Sequence, residues 1–160
     1  MSEKKFVTEY LIKTGMTITF MESCTSGLLA SMFTDTEGAS AVFKGSLVTY
    51  SNDMKMAAGV DAAIIEKYGV YSAECASSMA KTAQQRYKTD IAVGITGTTG
   101  NPDPLNPGSL EGEAFYCIVV GDKSYDYHLK KDVSNLSRED IKKLYADEVY
   151  GSLKDILEKH

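Results

Sequence analysis

The residues best placed for covalent chemistry sit together in Glu22-Ser23-Cys24-Thr25-Ser26-Gly27. A β-branched run precedes them and an apolar helical stretch follows. Small hydroxyl residues and a glycine there leave backbone N–H groups free at a helix start. Such a start favours negative charge, either a bound phosphate or the oxyanion of an acyl transfer. Ser23 would then stand at the exposed end of a strand as a nucleophile, with Thr25, Ser26 and Gly27 near the substrate. The same pattern serves equally if Ser23 or Thr25 only caps the helix.

A second group is Val48-Thr49-Tyr50-Ser51-Asn52-Asp53-Met54-Lys55. A strand ends at Tyr50, and Lys55 lies one helical turn further on, so Tyr50 and Lys55 can share a site. A lysine beside a serine acts as a general base when burial or a nearby positive charge lowers its pKa. On sequence alone, a surface lysine and a half-buried tyrosine fit as well.

The third segment, Gly94-Ile95-Thr96-Gly97-Thr98-Thr99-Gly100-Asn101-Pro102, follows the most apolar run of the chain. Ligands of open α/β sheets gather beyond the carboxyl ends of strands. That makes Thr96, Gly97 and Thr98 candidate contacts, against the alternative of a plain surface loop. The segment has neither the GK[ST] ending of a phosphate-binding loop nor a GxGxxG fingerprint. Lastly, Arg138 and Lys142 stand four apart on one helix face, where they would hold a phosphate or simply face solvent.

These segments need elements to position them. Residues 3–14 carry a helical stripe of Phe6, Val7, Tyr10 and Leu11, stopped by Gly15. Residues 17–21 and 42–50 read as strands, 28–33 as a helix, and 52–58 and 61–67 as two short helices. Ser72 caps a helix to about Tyr87, with Ala76, Met79, Ala80 and Ala83 on one face. Residues 90–96 form a strand buried on both faces, and 97–109 a Gly/Pro/Asn-rich loop. A hairpin follows, with strands 113–120 and 123–129 around Gly121-Asp122, and then a helix from about Ser137 to the end. Strands alternating with helices give an α/β layered fold with a mixed sheet, within one domain over 1–160.

Composition excludes several classes. At 160 residues and 43% hydrophobic, the chain can build one core. A net charge of -5 disfavours general binding of nucleic acid, which needs clustered Lys and Arg. No apolar run approaches a membrane span and the N-terminus has no apolar signal core, so a cytoplasmic place is expected. Only His128 and His160 are present, so a Ser-His-Asp triad would have to use His128. Cys24, Cys75 and Cys117 have no metal-ligand spacing, and Cys75 and Cys117 read as buried small hydrophobes.

Taken in order, the segments resemble the CinA C-terminal domain family, whose characterised members are nicotinamide mononucleotide deamidases. The family's AESCTGG appears as Met21-Glu22-Ser23-Cys24-Thr25-Ser26-Gly27, and its PGAS stretch as Glu37-Gly38-Ala39-Ser40. Phe43, Gly45, Tyr50-Ser51-Asn52 and Lys55 continue the match. Its GAVS is Gly69-Val70-Tyr71-Ser72, with Ala76, Met79 and Ala80 following. Its GIAGPxGG survives in part, as Gly94 to Gly100. The resemblance spans about residue 5 to about 157.

The resemblance implies a three-layer α/β/α sandwich with a mixed, mostly parallel sheet. It also implies hydrolysis of nicotinamide mononucleotide to nicotinic acid mononucleotide and ammonia, with no cofactor and no metal. By position, Ser23 is the nucleophile, Lys55 its base, and Tyr50 an aid to proton transfer or to lysine orientation. Ser40 matches a serine near the substrate, Gly45 a family glycine, and Arg138 and Lys142 a phosphate-contacting pair. Cys24, adjacent to Ser23, would then face away from the site. Family members are often dimers, so a homodimer or higher homo-oligomer is expected. The chain departs from the family at Ser26, where glycine is usual, at Thr98-Thr99-Gly100-Asn101, and at Ser109 to Ala114. These departures admit two other readings, the same machinery on another small amide and a nucleotide-binding module without turnover. Larger members carry a further N-terminal domain, and this chain reads as a stand-alone form.

Overall fold

A computed structural model describes all residues, Met1–His160. Five strands, β1 (Ile18–Glu22), β2 (Leu47–Val48), β3 (Ile91–Gly97), β4 (Glu113–Val120) and β5 (Lys123–Lys130), form one sheet in the order β2-β1-β3-β4-β5. β1 pairs in parallel with both β2 and β3. β3–β4 and β4–β5 are antiparallel. The sheet is mixed, as expected, but its parallel share is smaller than the sequence suggested. The two antiparallel pairings supply most of the paired length, while β2 is only two residues long.

The helices are α1 (Glu3–Thr14), α2 (Leu28–Phe33), α3 (Asn52–Ala58), α4 (Ala62–Tyr68), α5 (Ala73–Tyr87) and α6 (Arg138–Leu157). They divide between the two faces because β1 and β3, buried on both sides, offer two apolar surfaces. Ile18 and Phe20 of β1, with Ile91, Val93 and Ile95 of β3, join Val7, Leu11, Leu29, Tyr145, Val149 and Leu153 in the main core under α1, α2 and α6. Met21 packs on the other face with Cys75, Met79 and Ala83 of α5. Gly94 lets α5 come down onto β3. A Cβ there would lie 2.4 Å from the Ala76 carbonyl oxygen and 2.5 Å from the Ala80 nitrogen. The layers are therefore α/β/α.

One strand differs from expectation. Residues 42–50 do not run as a continuous strand. Phe43 bridges Ile18, the chain leaves the sheet, and pairing resumes only at Leu47. Before it, Ala39–Ala41 make a single 3-10 turn. The interruption has a local cause. Thr19 Oγ1 donates to the Gly45 carbonyl at 2.8 Å, and Gly45 lies against the Tyr87 ring. The carboxyl ends of β1, β2 and β3 open on the same edge, and Ser23, Tyr50 and Thr98 follow them directly.

Candidate active site

Glu22 fixes the turn that carries Ser23. Its carboxylate is fully buried and accepts from Thr25 Oγ1 at 2.7 Å, from Leu29 N at 2.8 Å and from Ala30 N at 3.1 Å. An acidic side chain at a helix start satisfies amide donors that have no partner within the helix. Tyr150 of α6 donates to the Leu29 carbonyl at 2.7 Å and locks the same helix from above. Ser23 N donates to Ile95 O at 3.1 Å, tying the serine to the end of β3. The N–H groups of Cys24 and Thr25 donate to no carbonyl and lie in the turn next to Ser23. Ser26 takes a left-handed conformation, φ +46°, with its side chain exposed.

Lys55 reaches Ser23 from α3. Ser51 caps that helix, its hydroxyl accepting from Met54 N at 3.1 Å, and this sets the lysine one turn in. Lys55 Nζ lies 3.0 Å from Ser23 Oγ and donates to the Thr49 carbonyl at 2.8 Å. Ser23 is 4% and Lys55 2% exposed, so solvent screens neither. Burial holds the lysine pKa below its ordinary 10.5, against the opposing pull of Cys75, Cys24 and Asp103. An ammonium loses its hydration on burial, and no carboxylate pairs with it here. The Thr49 carbonyl takes one N–H of the lysine. In the neutral form that leaves the nitrogen lone pair free to face the Ser23 hydroxyl.

Around this pair lies a cavity of about 570 Å³, lined by Ser23, Lys55, Tyr50, Tyr71, Asp103 and Arg138 among others. Arg138, the first residue of α6, donates to the Thr99 carbonyl at 3.0 Å and to the Tyr50 hydroxyl at 3.3 Å. Tyr145 donates to the Thr98 carbonyl at 2.8 Å, and Thr98 Oγ1 bonds the Leu110 carbonyl. The loop from Thr98 to Leu110 thus forms one wall. Its inner side is pinned by Tyr71, whose hydroxyl donates to Asp103 at 2.7 Å, and by Asn52, which donates to Asn106 at 3.1 Å. Asn106 also donates to Asp103 at 2.6 Å. The Tyr71 bond and then the Asn106 bond hold the Asp103 carboxyl below its ordinary pKa. Nowhere do three or more His, Cys, Asp or Glu side chains gather as metal ligands would.

A family model for the CinA C-terminal domain matches residues 2–157. The chain belongs to the CinA C-terminal domain family. It is similar to Protein MG115 homolog of Mycoplasma pneumoniae, 34% identical over 154 residues and covering 96% of each chain. It is 39% identical over 131 residues to a CinA-like protein of Fervidobacterium nodosum, covering 79% of this chain but 31% of that protein. Compared with such larger CinA-like relatives, this chain spans about a third of the length. Among solved structures, a CinA superfamily protein from Klebsiella pneumoniae matches with a TM-score of 0.89 at 20% identity, covering all of both chains. A CinA protein from Escherichia coli matches with a TM-score of 0.87 at 22% identity, over 97% of this chain and 87% of that one. At such identities the likeness establishes the CinA fold.

Within that fold the family-matched positions separate into two groups. Ser23, Tyr50, Lys55, Gly97, Thr98 and Arg138 line the cavity. Thr25 is bound to Glu22, and Thr96 is buried with its hydroxyl donating to Val70 O at 2.9 Å, so both brace the site from behind. Gly27, φ +98°, starts α2 against Val48. Ser40, Gly45 and Lys142 lie outside the cavity lining. Ser40 is exposed on the 3-10 turn, where Lys44 donates to its carbonyl at 3.3 Å, and Gly45 is occupied by Tyr87. Lys142 sits one turn beyond Arg138, away from the opening. Cys24, adjacent to Ser23, is buried and has its pKa pushed up to about 12, chiefly by that burial.

Tyr71, Asp103 and Asn106 went unsingled in the sequence. Asp103 and Asn106 lie in an aperiodic Pro/Asn/Gly stretch. The one signal was their type, since Asp and Asn are the residues that organise turns through side-chain bonds. No helix is long and apolar enough to cross a membrane.

Proposed function

We propose that this CinA-family chain hydrolyses the carboxamide of nicotinamide mononucleotide, releasing nicotinic acid mononucleotide and ammonia. The observation that carries the proposal is the buried 3.0 Å contact between Lys55 Nζ and Ser23 Oγ, with the lysine held toward neutrality. Neutral Lys55 takes the hydroxyl proton as Ser23 Oγ attacks the carboxamide carbon. The Cys24 and Thr25 amides, which donate to no carbonyl, are suited to the oxyanion of the tetrahedral intermediate. Lys55 then returns its proton to the departing nitrogen, and ammonia leaves. Water, deprotonated by the same lysine, attacks the acyl-serine; the C–Oγ bond breaks, Lys55 returns the proton to Ser23 Oγ, and the acid product leaves.

Arg138 at the opening suits the phosphate, whose binding holds the ring in place without itself reacting. Tyr50 assists from the rim, where its hydroxyl is engaged by Arg138. The expected localisation and a homodimeric state belong to this same reading.

The test is ammonia release from nicotinamide mononucleotide. Wild type turns over. Ser23→Ala loses about a thousandfold or more in kcat, and Lys55→Ala about 10²–10⁴-fold. A folded wild type that releases no ammonia above background sinks the substrate assignment. Turnover that survives Ser23→Ala sinks the nucleophile.

A further inference from the structure

The charges on the cavity wall do not match a purely anionic ligand. Arg138 is its one permanent cation, and Lys55 is driven toward its neutral form. Against them stand two carboxylates of the lining, Asp53 and Asp103. Asp53 is exposed on the outer side of α3. Asp103 is set differently, because three donors hold its carboxylate and its own N–H is anchored as well. Tyr71 and Asn106 bond one oxygen at 2.7 and 2.6 Å, Leu105 N bonds the other at 2.9 Å, and Asp103 N is itself anchored to Ser109 Oγ at 2.7 Å. The side chain is half-buried and stays ionised throughout the neutral range. The Tyr71 and Tyr50 rings also line the cavity, and aromatic faces attract cations. The cavity therefore has two poles, an anion-binding one at Arg138 and a cation-favouring one at Asp103 and Tyr71.

We propose that Asp103, positioned by Tyr71 and Asn106, recognises positive charge on the ligand's ring and so selects zwitterionic amides, an N-substituted pyridinium carrying a distant phosphate, over uncharged-ring amides of the same size. The proposal deepens the nucleotide reading above and rests on it. The Tyr71–Asp103 pair is a specificity device of the wall loop, separate from the serine and lysine that do the chemistry. Asp103 lowers the energy of the bound cation and takes no proton.

Binding separates this from reactivity. Calorimetric titration of the Ser23→Ala protein would compare nicotinamide mononucleotide, whose ring is a cation, with its reduced dihydro form, whose ring is neutral. Phosphate and carboxamide are the same in both. The cationic form is expected to bind about tenfold tighter, the size of one moderately screened charge interaction. Adding Asp103→Asn, which keeps an acceptor for Tyr71, should reduce that preference to within about twofold while leaving the neutral form's affinity nearly unchanged.

Equal binding of the two forms by the Asp103-bearing protein overturns the proposal, as does a preference that survives Asp103→Asn. Should Asp103→Asn disorder the loop, salt decides the matter on the Asp103-bearing protein. Both forms carry the phosphate, so their ratio should fall toward one between 50 and 500 mM salt, and an unchanged ratio overturns the proposal. Ammonia release by wild type together with equal binding removes this inference alone. Absence of both binding and turnover removes the nucleotide reading with it.

Discussion

Lys55 is placed where a lysine is costly to keep. It is buried, it meets no carboxylate, and it has only a carbonyl and a hydroxyl for company. Two outcomes follow from its lowered pKa. The rate should rise with pH along a single ionisation below the ordinary lysine value of 10.5, then level off, in a kcat/KM profile of the wild type. A profile flat from mildly acidic to alkaline pH would remove lysine as the base. The second outcome concerns stability. The folded pKa lies below the unfolded one, so between them the unfolded chain binds the extra proton, and stability increases with pH through that window. Below the folded pKa the cost is paid in full. Lys55→Met should therefore abolish turnover while raising stability at neutral pH by roughly 0.5–2 kcal/mol, read from urea unfolding. It should also flatten the alkaline rise in stability. A destabilised Lys55→Met would mean that the bonds to Thr49 and Ser23 outweigh the desolvation.

At the scale of elements, three strand ends and one helix start converge because the sheet changes direction of pairing at β3. The parallel half places Ser23 and Tyr50 on one edge, and the antiparallel half closes the far side without covering that edge. Gly94 sets the depth at which α5 sits behind β3. Gly94→Ala would drive a methyl into helix backbone, where no rotamer change relieves it. Its expected cost is about 3 kcal/mol or more, at the high end for overpacking, measured by thermal or urea unfolding. A near-neutral result would show that α5 slides freely on the sheet.

Much of this layer was legible in the sequence. The all-apolar 90–96 run gave the central strand, Ser72 and Ser137 gave helix starts, and Gly121-Asp122 gave the hairpin. Residues 42–50 misled because β-branched and aromatic residues suggest a strand whether or not a neighbour is free to pair. Here a Thr19 side chain and a Tyr87 ring take the middle of the segment. The Ser23–Lys55 pairing was legible only through the family's ordered motifs. Neither residue's local pattern reveals a contact across 32 positions of chain. The Tyr71–Asp103 wall was illegible for a related reason, since loop contacts have no period.

Over the whole molecule, Arg138 is the point where distant parts of the chain meet. From the start of α6 it bonds the loop after β3 and the tyrosine after β2, and it is itself exposed. Arg138→Ala should raise KM for a phosphorylated substrate about 10–100-fold, as the loss of a charged hydrogen-bonding group does. It should change kcat by only a few fold and leave the unfolding midpoint almost unmoved. A kcat loss as large as that of Lys55→Ala would instead assign Arg138 to the chemistry.

The three cysteines carry a different consequence. Cys24 lies beside the catalytic turn, Cys75 on α5 and Cys117 in β4, all of them buried, with pKa values pushed up to about 12, 11 and 12, chiefly by burial. The thiolate is the reactive species, and burial disfavours it at all three positions while the layers stay packed. The folded chain is thus built to ignore oxidants and alkylating reagents, even next to its nucleophile. Each thiol becomes reactive only when its own layer opens, so the rate of labelling at each cysteine is a separate clock for the loosening of turn, helix and sheet.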